Sequence, residues 1–302
     1  MPTKIAYTPY DGSAKPFTIG LSQLDFEKWI EPDDQLGLYL DLKRQILEAD
    51  HDGAFQAEAG TEDAQQEVLS LLSEYLPRFH GGQYQRSGDA MHMAGRTVDL
   101  KDGAMPALIR AGLLIQDDLV IMRRKPDGWH FSAGFVAFPS SWSVQEKFGQ
   151  AMEGIHAQVP GFEGGTRNAE LINRMFDKLA ADRMVTRLNW SIKGNGNLPQ
   201  PISKHIDDDP ATASAEAMKN FVRVERQTLR RLPRSGDILF TIRVYADPIT
   251  AIAQQPDAAK LFQSMADLLA DMTTEQLAYK GLLTTVREPL RLFLLQQAQK
   301  AA

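Results

Sequence analysis

The order of predicted strands and helices in the middle of this 302-residue chain is the strongest constraint on its fold. Two predicted strands, Leu119–Arg124 and Trp129–Phe138, flank the turn sequence Lys125–Gly128 and therefore form a hairpin. Apolar residues at helical spacing predict two helices after this hairpin. Three further strands follow the helices: Met184–Ile192, Phe221–Arg230 and Asp237–Ala246.

Strands joined by hairpins pair antiparallel, and helices inserted between two groups of strands pack over one face of their sheet. The predicted fold class is therefore α+β, with a PAS-like antiparallel sheet, helices on one face, and helical N- and C-terminal extensions. We expect residues 1–302 to form a single domain. It comprises a mainly helical extension (1–104), a core (105–248) and closing helices (249–302).

Local signals refine this prediction. Helices are expected over residues 34–49 and 61–76, with Pro77 ending the second. Ser143–Glu146 fits a capping box that opens an amphipathic helix, and His156 stands at the C-terminal end of that helix. Residues 193–219 are rich in Gly, Asn, Pro and Asp, which predicts a long loop.

The chain contains no cysteine, which excludes disulfides, thiolate nucleophiles, cysteine zinc sites, ordinary iron–sulfur clusters and thiolate-ligated haem from this polypeptide. A metal would have to bind His, carboxylate, Tyr or Met. The net charge of -6 argues against a general nucleic-acid binder, and no run approaches the ~20 apolar residues that cross a bilayer. The N-terminus lacks a secretory signal pattern, so we expect a cytoplasmic protein without membrane or nucleic-acid partners.

Six histidines are the candidate imidazole ligands. They are His51, His80, His92, His130, His156 and His205. An imidazole at a helix end, followed by a Pro/Gly exit, suits an axial ligand to haem iron, which favours His156. The alternative interpretation is a histidine that caps carbonyls at a helix C-terminus. His130 is a second candidate on a strand, and surface positions are expected for the other four.

The predicted strand Phe221–Arg230 carries an unusual number of charges. Arg223 and Glu225 lie on one of its faces and Arg226 lies on the other, beside two valines. If the valines face the core, Arg226 is carried there too and needs an anion or several hydrogen-bond acceptors. One interpretation is a polarised pocket in which an arginine contacts bound oxygen or a propionate and Glu225 holds a cation. The other is a salt-bridge ladder on a solvated face.

Similar polar rows occur on the two strands expected beside it. They are Arg187, Asn189 and Ser191, and Thr241, Arg243 and Tyr245. Polar rows on three adjacent strands predict one shared face that is wet or filled by a ligand.

Several segments, in this order, form a recognisable set. They are Trp29–Asp33, Gln116–Leu119, Phe138–Trp142, Ile155–Gly161, Asn189–Ser191 and Arg223–Pro233. Over roughly residues 15–295 the chain resembles the α subunit of haem-dependent oxidative N-demethylase, a PAS-type haem enzyme. The resemblance implies a b-type haem and the oxidation of a secondary methylamine such as dimethylamine by O2, which releases formaldehyde and the primary amine.

The resemblance also implies electron delivery from NADPH through FMN and a 2Fe–2S centre. Because this chain has no cysteine, those groups are expected on reductase or ferredoxin-type partner subunits.

Site residues follow from the same resemblance. The segment Ile155–Pro160 makes His156 the expected proximal ligand, with Gln158 where proline is expected in many relatives. Arg223 and Arg226 are alternatives for a distal, oxygen-contacting arginine, and Glu225 is the preferred acid for the amine. Asn189 and Arg243 are expected to contact the cofactor.

Two other readings of the chain stay open at this point. One is a haem sensor or binding module without turnover. A sensor usually needs an output domain, and the C-terminal helices are too short for a kinase, which favours the enzyme. The other is a relative that has lost haem and binds a different small molecule in the same pocket.

Overall fold

A computed structural model describes residues 5–201, 214–282 and 284–302. The strands are β1 (Ser22–Leu24), β2 (Phe55–Ala57), β3 (Tyr84–Ser87), β4 (Ala90–Met93), β5 (Arg96–Asp99), β6 (Asp118–Lys125), β7 (Gly128–Phe135), β8 (Met184–Lys193), β9 (Phe221–Arg231) and β10 (Ile238–Pro248). The α-helices are α1 (Leu36–Ala49), α2 (His51–Ala54), α3 (Glu62–Phe79), α4 (Ala107–Gly112), α5 (Val144–Lys147), α6 (Met152–Ile155), α7 (Arg167–Lys178), α8 (Ile249–Ile252), α9 (Ala258–Asp271), α10 (Thr274–Tyr279) and α11 (Thr284–Ala301).

The main sheet has the order β1-β8-β9-β10-β6-β7-β2, and every neighbouring pair is antiparallel. All five strands predicted for the core are present, and both predicted hairpins are confirmed. Together with the helices they form the predicted α+β fold.

The two faces of the main sheet carry different layers. Face A is the side on which Val185, Leu229 and Phe240 are register neighbours, and helices α5–α7 pack against it. Face B is the opposite side, which carries the residues that alternate with the face A residues along each strand. Helices α3 and α4 cover one half of face B, and the C-terminal helices α9 and α11 cover the other half. The inserted helices therefore cover one face as predicted, and the two extensions cover the other.

The N-terminal extension contains a second sheet that the sequence did not predict. It has the order β3-β4-β5. The turn between β4 and β5 consists of Ala94 (φ 48°) and Gly95 (φ 72°), the positive φ angles that a tight hairpin turn requires. The strands are only four residues long, so their alternation is too short to stand out from the helical pattern around it.

Two helix boundaries also differ from the prediction. Pro77 lies inside α3, which continues to Phe79. A proline near a helix end removes only one of the last hydrogen bonds, so the final turn survives. The helix predicted from Ser143 onwards is two short helices, α5 and α6.

The break between α5 and α6 has a clear cause in the adjacent strand. The peptide nitrogen of Gly149 donates to the carbonyl of Phe131, and that of Phe131 donates to the carbonyl of Gln150. Gly149 (φ 76°) adopts the left-handed conformation that this pairing needs. The capping box of Ser143 and Glu146 at the start of α5 is confirmed. The result is that His156, the residue that follows α6, lies on the face A side of the sheet.

Candidate functional site

Face A carries a cluster of polar side chains where β8 pairs with β9. In this register Arg187 lies opposite Gln227, and Asn189 lies opposite Glu225. We call these four residues the polar row. The predicted shared face of the β8 and β9 polar residues is therefore confirmed.

The third predicted polar row lies elsewhere. On β10, Arg243 pairs in register with Arg226, and Thr241 pairs with Thr228. Both pairs belong to face B, so the prediction that all three rows share one face is wrong. The reason is an offset of one residue in the register, which reverses the side of every side chain on a strand.

His156 follows α6 and is oriented by its own helix. Its Nδ1 lies 3.0 Å from the carbonyl oxygen of Met152, so Nδ1 carries the proton and donates it. Nε2 has no hydrogen bond or ion pair with any residue that the structure describes. An imidazole that donates from one nitrogen to a carbonyl and keeps the other for a metal is the usual arrangement of an iron or zinc ligand.

The surroundings of His156 favour the neutral imidazole. Burial lowers the pKa of His156 from its ordinary value of 6.5, opposed by the hydrogen bond to Met152. The positive charges of Arg187 and Lys147 lower this pKa further. A neutral imidazole is the form that binds metals.

Of the other histidines that the structure describes, His80 also keeps a ring nitrogen without a partner, but it follows α3 on face B and does not face the polar row. His130 uses both ring nitrogens, at 3.0 Å from the carbonyl of Gly149 and 3.0 Å from the carboxylate of Asp127. His51 and His92 are exposed, while His80 is half-buried with an unpartnered Nε2 beside the ring of Tyr75. His205 lies outside the described residues. Within the described ranges, no group of three or more His, Asp or Glu side chains could hold a metal ion by itself.

Glu225 sits at the centre of the polar row. Its Oε2 accepts a hydrogen bond of 2.7 Å from Gln227 Nε2 and a long one of 3.5 Å from Asn189 Nδ2. The charge of Glu225 also raises the pKa of Tyr279, which burial raises to about 12. Glu225 is thus a half-buried carboxylate on face A whose charge also acts on Arg187 and Arg223.

Arg223 lies on face A as predicted, but its guanidinium is committed to a loop. It donates to Ser140 Oγ (2.8 Å) and to the carbonyls of Asn197 (3.0 Å), Phe138 (2.9 Å) and Pro139 (3.2 Å). Four of its five N–H donors are used in this way. Arg223 therefore braces the loop after β7 against the sheet.

Arg226 is buried on face B, away from His156. It donates to the carbonyls of Trp29 (3.0 Å) and Lys28, and its Nε lies 3.3 Å from a carboxylate oxygen of Glu31. The sequence predicted that a buried arginine here would need an anion or several acceptors, and it has both. It joins the N-terminal extension to the sheet.

Arg243 belongs to the same buried network on face B. It pairs with Asp33 at 2.7 Å, and its guanidinium stacks on the rings of Tyr39 (4.0 Å) and Tyr245 (4.8 Å). The acidic partners Glu31 and Asp33 were not predicted as such. The sequence signal for them was their place in the segment Trp29–Asp33.

An open groove of about 480 Å³ lies at the other end of the sheet, near the two hairpin turns. Its cations are paired: Arg123 binds Asp237 at 2.7 Å and Arg124 binds Asp177 at 3.2 Å. Arg231 donates to backbone carbonyls. Since these charges are satisfied within the chain, we place the candidate site on the His156 side.

The residues around His156 fit haem in their chemistry. A neutral imidazole with an unpartnered Nε2 stands among apolar side chains that include Ile155, Val159 and Phe162. The space beside His156 is closed by Met152, Phe162, Ala169 and Ile172 and is too small to hold a water molecule, whereas cofactor pockets usually enclose roughly 300–1,000 Å³. The donor therefore fits an axial ligand, and a whole macrocycle requires α6 and face A to be further apart.

Comparison with known protein families gives one result. A family model described as "Haem-dependent oxidative N-demethylase, alpha subunit-like" matches residues 20–289. This description points to a haem-dependent oxidoreductase with an oxidative N-demethylase-like function and, in the word subunit, to partner chains. Among the described residues, no helix combines the length and the apolar character needed to span a membrane. Because the match extends over most of its length, the chain belongs to the haem-dependent oxidative N-demethylase, alpha subunit-like family.

Proposed function

We propose that this chain is the haem-binding subunit of an oxidative N-demethylase for a small secondary methylamine such as dimethylamine. The observation that carries the proposal is the arrangement at His156. Its Nδ1 is held by a carbonyl, its Nε2 has no partner among the described residues, and it faces the side of the sheet that carries Glu225.

The scaffold supports this proposal. A PAS-like core was predicted from two strands, inserted helices and three more strands. The chain order β6, β7, α5–α7, β8, β9 and β10 agrees with that prediction. In this arrangement the inserted helices bring an imidazole over the sheet.

The residues of the chain have separate roles in this proposal. The carbonyl of Met152 orients the His156 ring, and burial keeps the imidazole neutral. The apolar side chains around it exclude water from the ligand. Bound haem b supplies the activation of O2, which no side chain of this chain provides.

Glu225 is the proposed binding group for the protonated amine. Gln227 and Asn189 orient its carboxylate on face A. A secondary methylamine carries one positive charge at neutral pH, so this carboxylate selects it over a neutral molecule of the same size. The net charge of -6 also favours the approach of a cation.

The reaction needs electrons from outside this chain. Dimethylamine, O2, two electrons and two protons give methylamine, formaldehyde and water. We propose that NADPH provides the electrons through FMN and a 2Fe–2S centre on partner subunits, since the chain has no cysteine to hold a cluster. Cytoplasmic localisation stays a prediction from the sequence.

Arg223 and Arg226 are not assigned to the oxygen-binding side, and Arg243 is not assigned to the cofactor. The first braces a loop, and the other two lie on face B. Asn189 is retained as a residue of the pocket because it faces the same side as Glu225.

The alternative is a haem sensor or binding module without turnover. The carboxylate of the polar row favours the enzyme, because a sensor of O2 needs no group that binds a cation. The two functions differ in one measurable property: only the enzyme releases formaldehyde when O2, a methylamine and electrons are supplied.

Haem titration of the purified protein tests the proposed ligand. We expect wild-type protein to give a sharp Soret band that shifts on reduction and with carbon monoxide. His156→Ala should lose haem affinity by at least about a hundredfold, since the proposed protein ligand to the iron is removed. His92→Ala, which changes an exposed histidine on the small sheet, should bind haem like wild type. Equal haem affinity in His156→Ala and wild type would rule out this ligand.

A further inference from the structure

A lysine and an aspartate lie side by side in the interior of the molecule, between α1 and the start of β6. Lys43 and Asp118 are both completely buried, and Lys43 Nζ lies 3.9 Å from Asp118 Oδ1. The same Nζ atom stands over the rings of Phe135 (5.5 Å) and Phe138 (5.8 Å). The pair therefore joins the N-terminal extension to the core in surroundings from which water is excluded.

These surroundings shift both groups of the pair towards their neutral forms. Burial lowers the pKa of Lys43 to about 8, opposed by the charges of Asp118 and Asp117. Burial raises the pKa of Asp118 to about 6, opposed by the charge of Lys43 and by backbone N–H donors. A free amine is a nucleophile, and a neutral carboxyl group is the form that it can attack. The pair therefore holds the two reactants of an amide condensation.

The carboxyl group of Asp118 is bound by two backbone N–H groups. The N–H of Ala137 donates to Oδ1 at 2.9 Å, and the N–H of Phe138 donates to Oδ2 at 2.9 Å. When a nucleophile adds to a carboxyl carbon, negative charge develops on the oxygens of that group, and fixed N–H donors stabilise this charge. The backbone after β7 thus provides the donors that an acyl transfer to Asp118 requires.

Backbone carbonyls hold the amine next to this carboxyl group. Lys43 Nζ donates to the carbonyl oxygens of Gly112 and Ile115, both at 3.1 Å, and to that of Asp117. Atoms that react with each other stand roughly 3–3.5 Å apart in a productive geometry. A small displacement of the Lys43 side chain therefore brings Nζ to the carboxyl carbon of Asp118.

The neighbouring acid, Asp117, is buried, and neither of its carboxylate oxygens has a hydrogen-bond partner among the described residues. Burial raises the pKa of Asp117, opposed by the charges of Arg243, Arg226 and Lys43. A buried carboxyl group without partners needs an explanation. A role in moving a proton away from Lys43 would provide one, because a carboxyl group with a raised pKa can both accept and donate a proton.

We propose that Lys43 and Asp118 condense to form an intramolecular isopeptide bond. A bond forms between Nζ and the carboxyl carbon of Asp118, and one carbon–oxygen bond of that carboxyl group breaks. The oxygen leaves as water with its own proton and one proton from Nζ, and Asp117 carries the second proton between them. The product is a neutral amide that ties α1 to β6, and its formation needs neither haem nor an oxidant.

Mass spectrometry of the purified full-length chain in denaturant tests the proposal. Wild type should be lighter than its sequence by the mass of one water, and the absence of cysteine removes disulfides as a cause of mass differences. Trypsin does not cut after a lysine whose amine is acylated. Digestion should therefore give one branched peptide in which residues 29–44 are joined to residues 111–123.

Three variants complete the test. Lys43→Arg keeps the positive charge but cannot form the amide, so its mass should equal that of its sequence. The matched control is Lys28→Arg, which changes an exposed lysine 3.4 Å from the exposed Asp25 and should keep the branched peptide. In Asp117→Asn most of the chain should lack the bond. An equal yield in this variant and in wild type would contradict the proton transfer by Asp117.

The wild-type chain alone can overturn the proposal, so the result does not depend on how the variants fold. A mass equal to that of the sequence would show that Lys43 and Asp118 are a permanent ion pair. A loss of water without the branched peptide would place the dehydration elsewhere in the chain and would also contradict the bond.

Discussion

Single residues of the same type take different roles in this protein according to their partners. Arg223 is saturated by loop acceptors, Arg226 joins a carboxylate and two carbonyls, and Arg187 keeps donors unmet. All three stand on adjacent strands of one sheet. Residue type alone therefore does not show which donors of an arginine are used, and the hydrogen bonds of each arginine do.

Local features of the candidate site could be predicted from the sequence, whereas contacts between distant residues could not. The Pro/Gly exit after His156 was visible in the sequence, and the ring is placed at the helix end as expected. The sequence did not show that Arg223 donates hydrogen bonds to Ser140 and Asn197, because those residues lie far away along the chain. Partners across long sequence separations depend on the tertiary fold.

Asp247 gives a prediction about pH. Burial raises its pKa from 3.8 to about 6. The folded state thus holds the proton more tightly than the unfolded state, and the stability from this proton is present below pH 3.8 and lost as pH rises through about 6. Asp247→Asn should therefore raise the free energy of unfolding at pH 7 by about 2 kcal/mol, allowing for partial exposure of the group.

Urea unfolding at pH 7 and below pH 3.8 measures this effect. The gain from Asp247→Asn should disappear at the lower pH, where the wild-type carboxyl is already neutral. Asp271→Asn, at the exposed end of α9, should show neither effect. A gain that is the same at both pH values would show that burial of the charge is not the cause.

Among the elements, the strands were easier to predict than their register. The strands of the core have apolar alternation and good turn sequences, so their positions follow from the sequence. The sequence does not show which face of the sheet the polar residues of β10 occupy, because a shift of one residue in the strand register moves every side chain to the opposite face. The break between α5 and α6 was also hidden, since it depends on pairing with β7 rather than on local sequence.

The contact between the N-terminal extension and β9 gives a prediction at this scale. Arg226→Gln removes the cation next to Glu31 and the donors to the carbonyls of Trp29 and Lys28. We expect it to lower the free energy of unfolding by about 2 kcal/mol, because the half-buried Glu31 loses its charge partner and two backbone carbonyls lose their donor. Haem affinity should stay close to wild type, since Arg226 lies on face B.

Chemical denaturation and haem titration of the same variant test this assignment. Arg234→Gln is the control. The guanidinium of Arg234 is largely exposed, and its 3.8 Å distance from Glu67 is long for an ion pair. A large loss of haem affinity in Arg226→Gln without a loss of stability would contradict this assignment and show that Arg226 contacts the cofactor.

The whole molecule is a sheet enclosed on both faces. Helices α5–α7 cover face A, and the N- and C-terminal extensions together cover face B. The extensions therefore complete the core of one structure. The candidate site lies on the face covered by α5, α6 and α7, of which α5 and α6 have only four residues each.

The charge of the whole molecule agrees with its proposed substrate. With a net charge of -6, the protein attracts small cations and repels polyanions. In the proposed function, the carboxylate of Glu225 provides the specific contact. Long-range attraction and local binding both favour a protonated amine.

The most direct test of the central claim is the titration of the ferric, haem-loaded protein with dimethylamine, followed at the Soret band. We expect a saturable spectral change in wild type and in Glu170→Gln, which changes an exposed carboxylate on α7. In Glu225→Gln the affinity for dimethylamine should be at least about tenfold lower, since the charge that binds the ammonium group is gone. Equal affinity in Glu225→Gln and wild type, or no response in a protein that holds haem, would contradict an amine-binding haem pocket on face A.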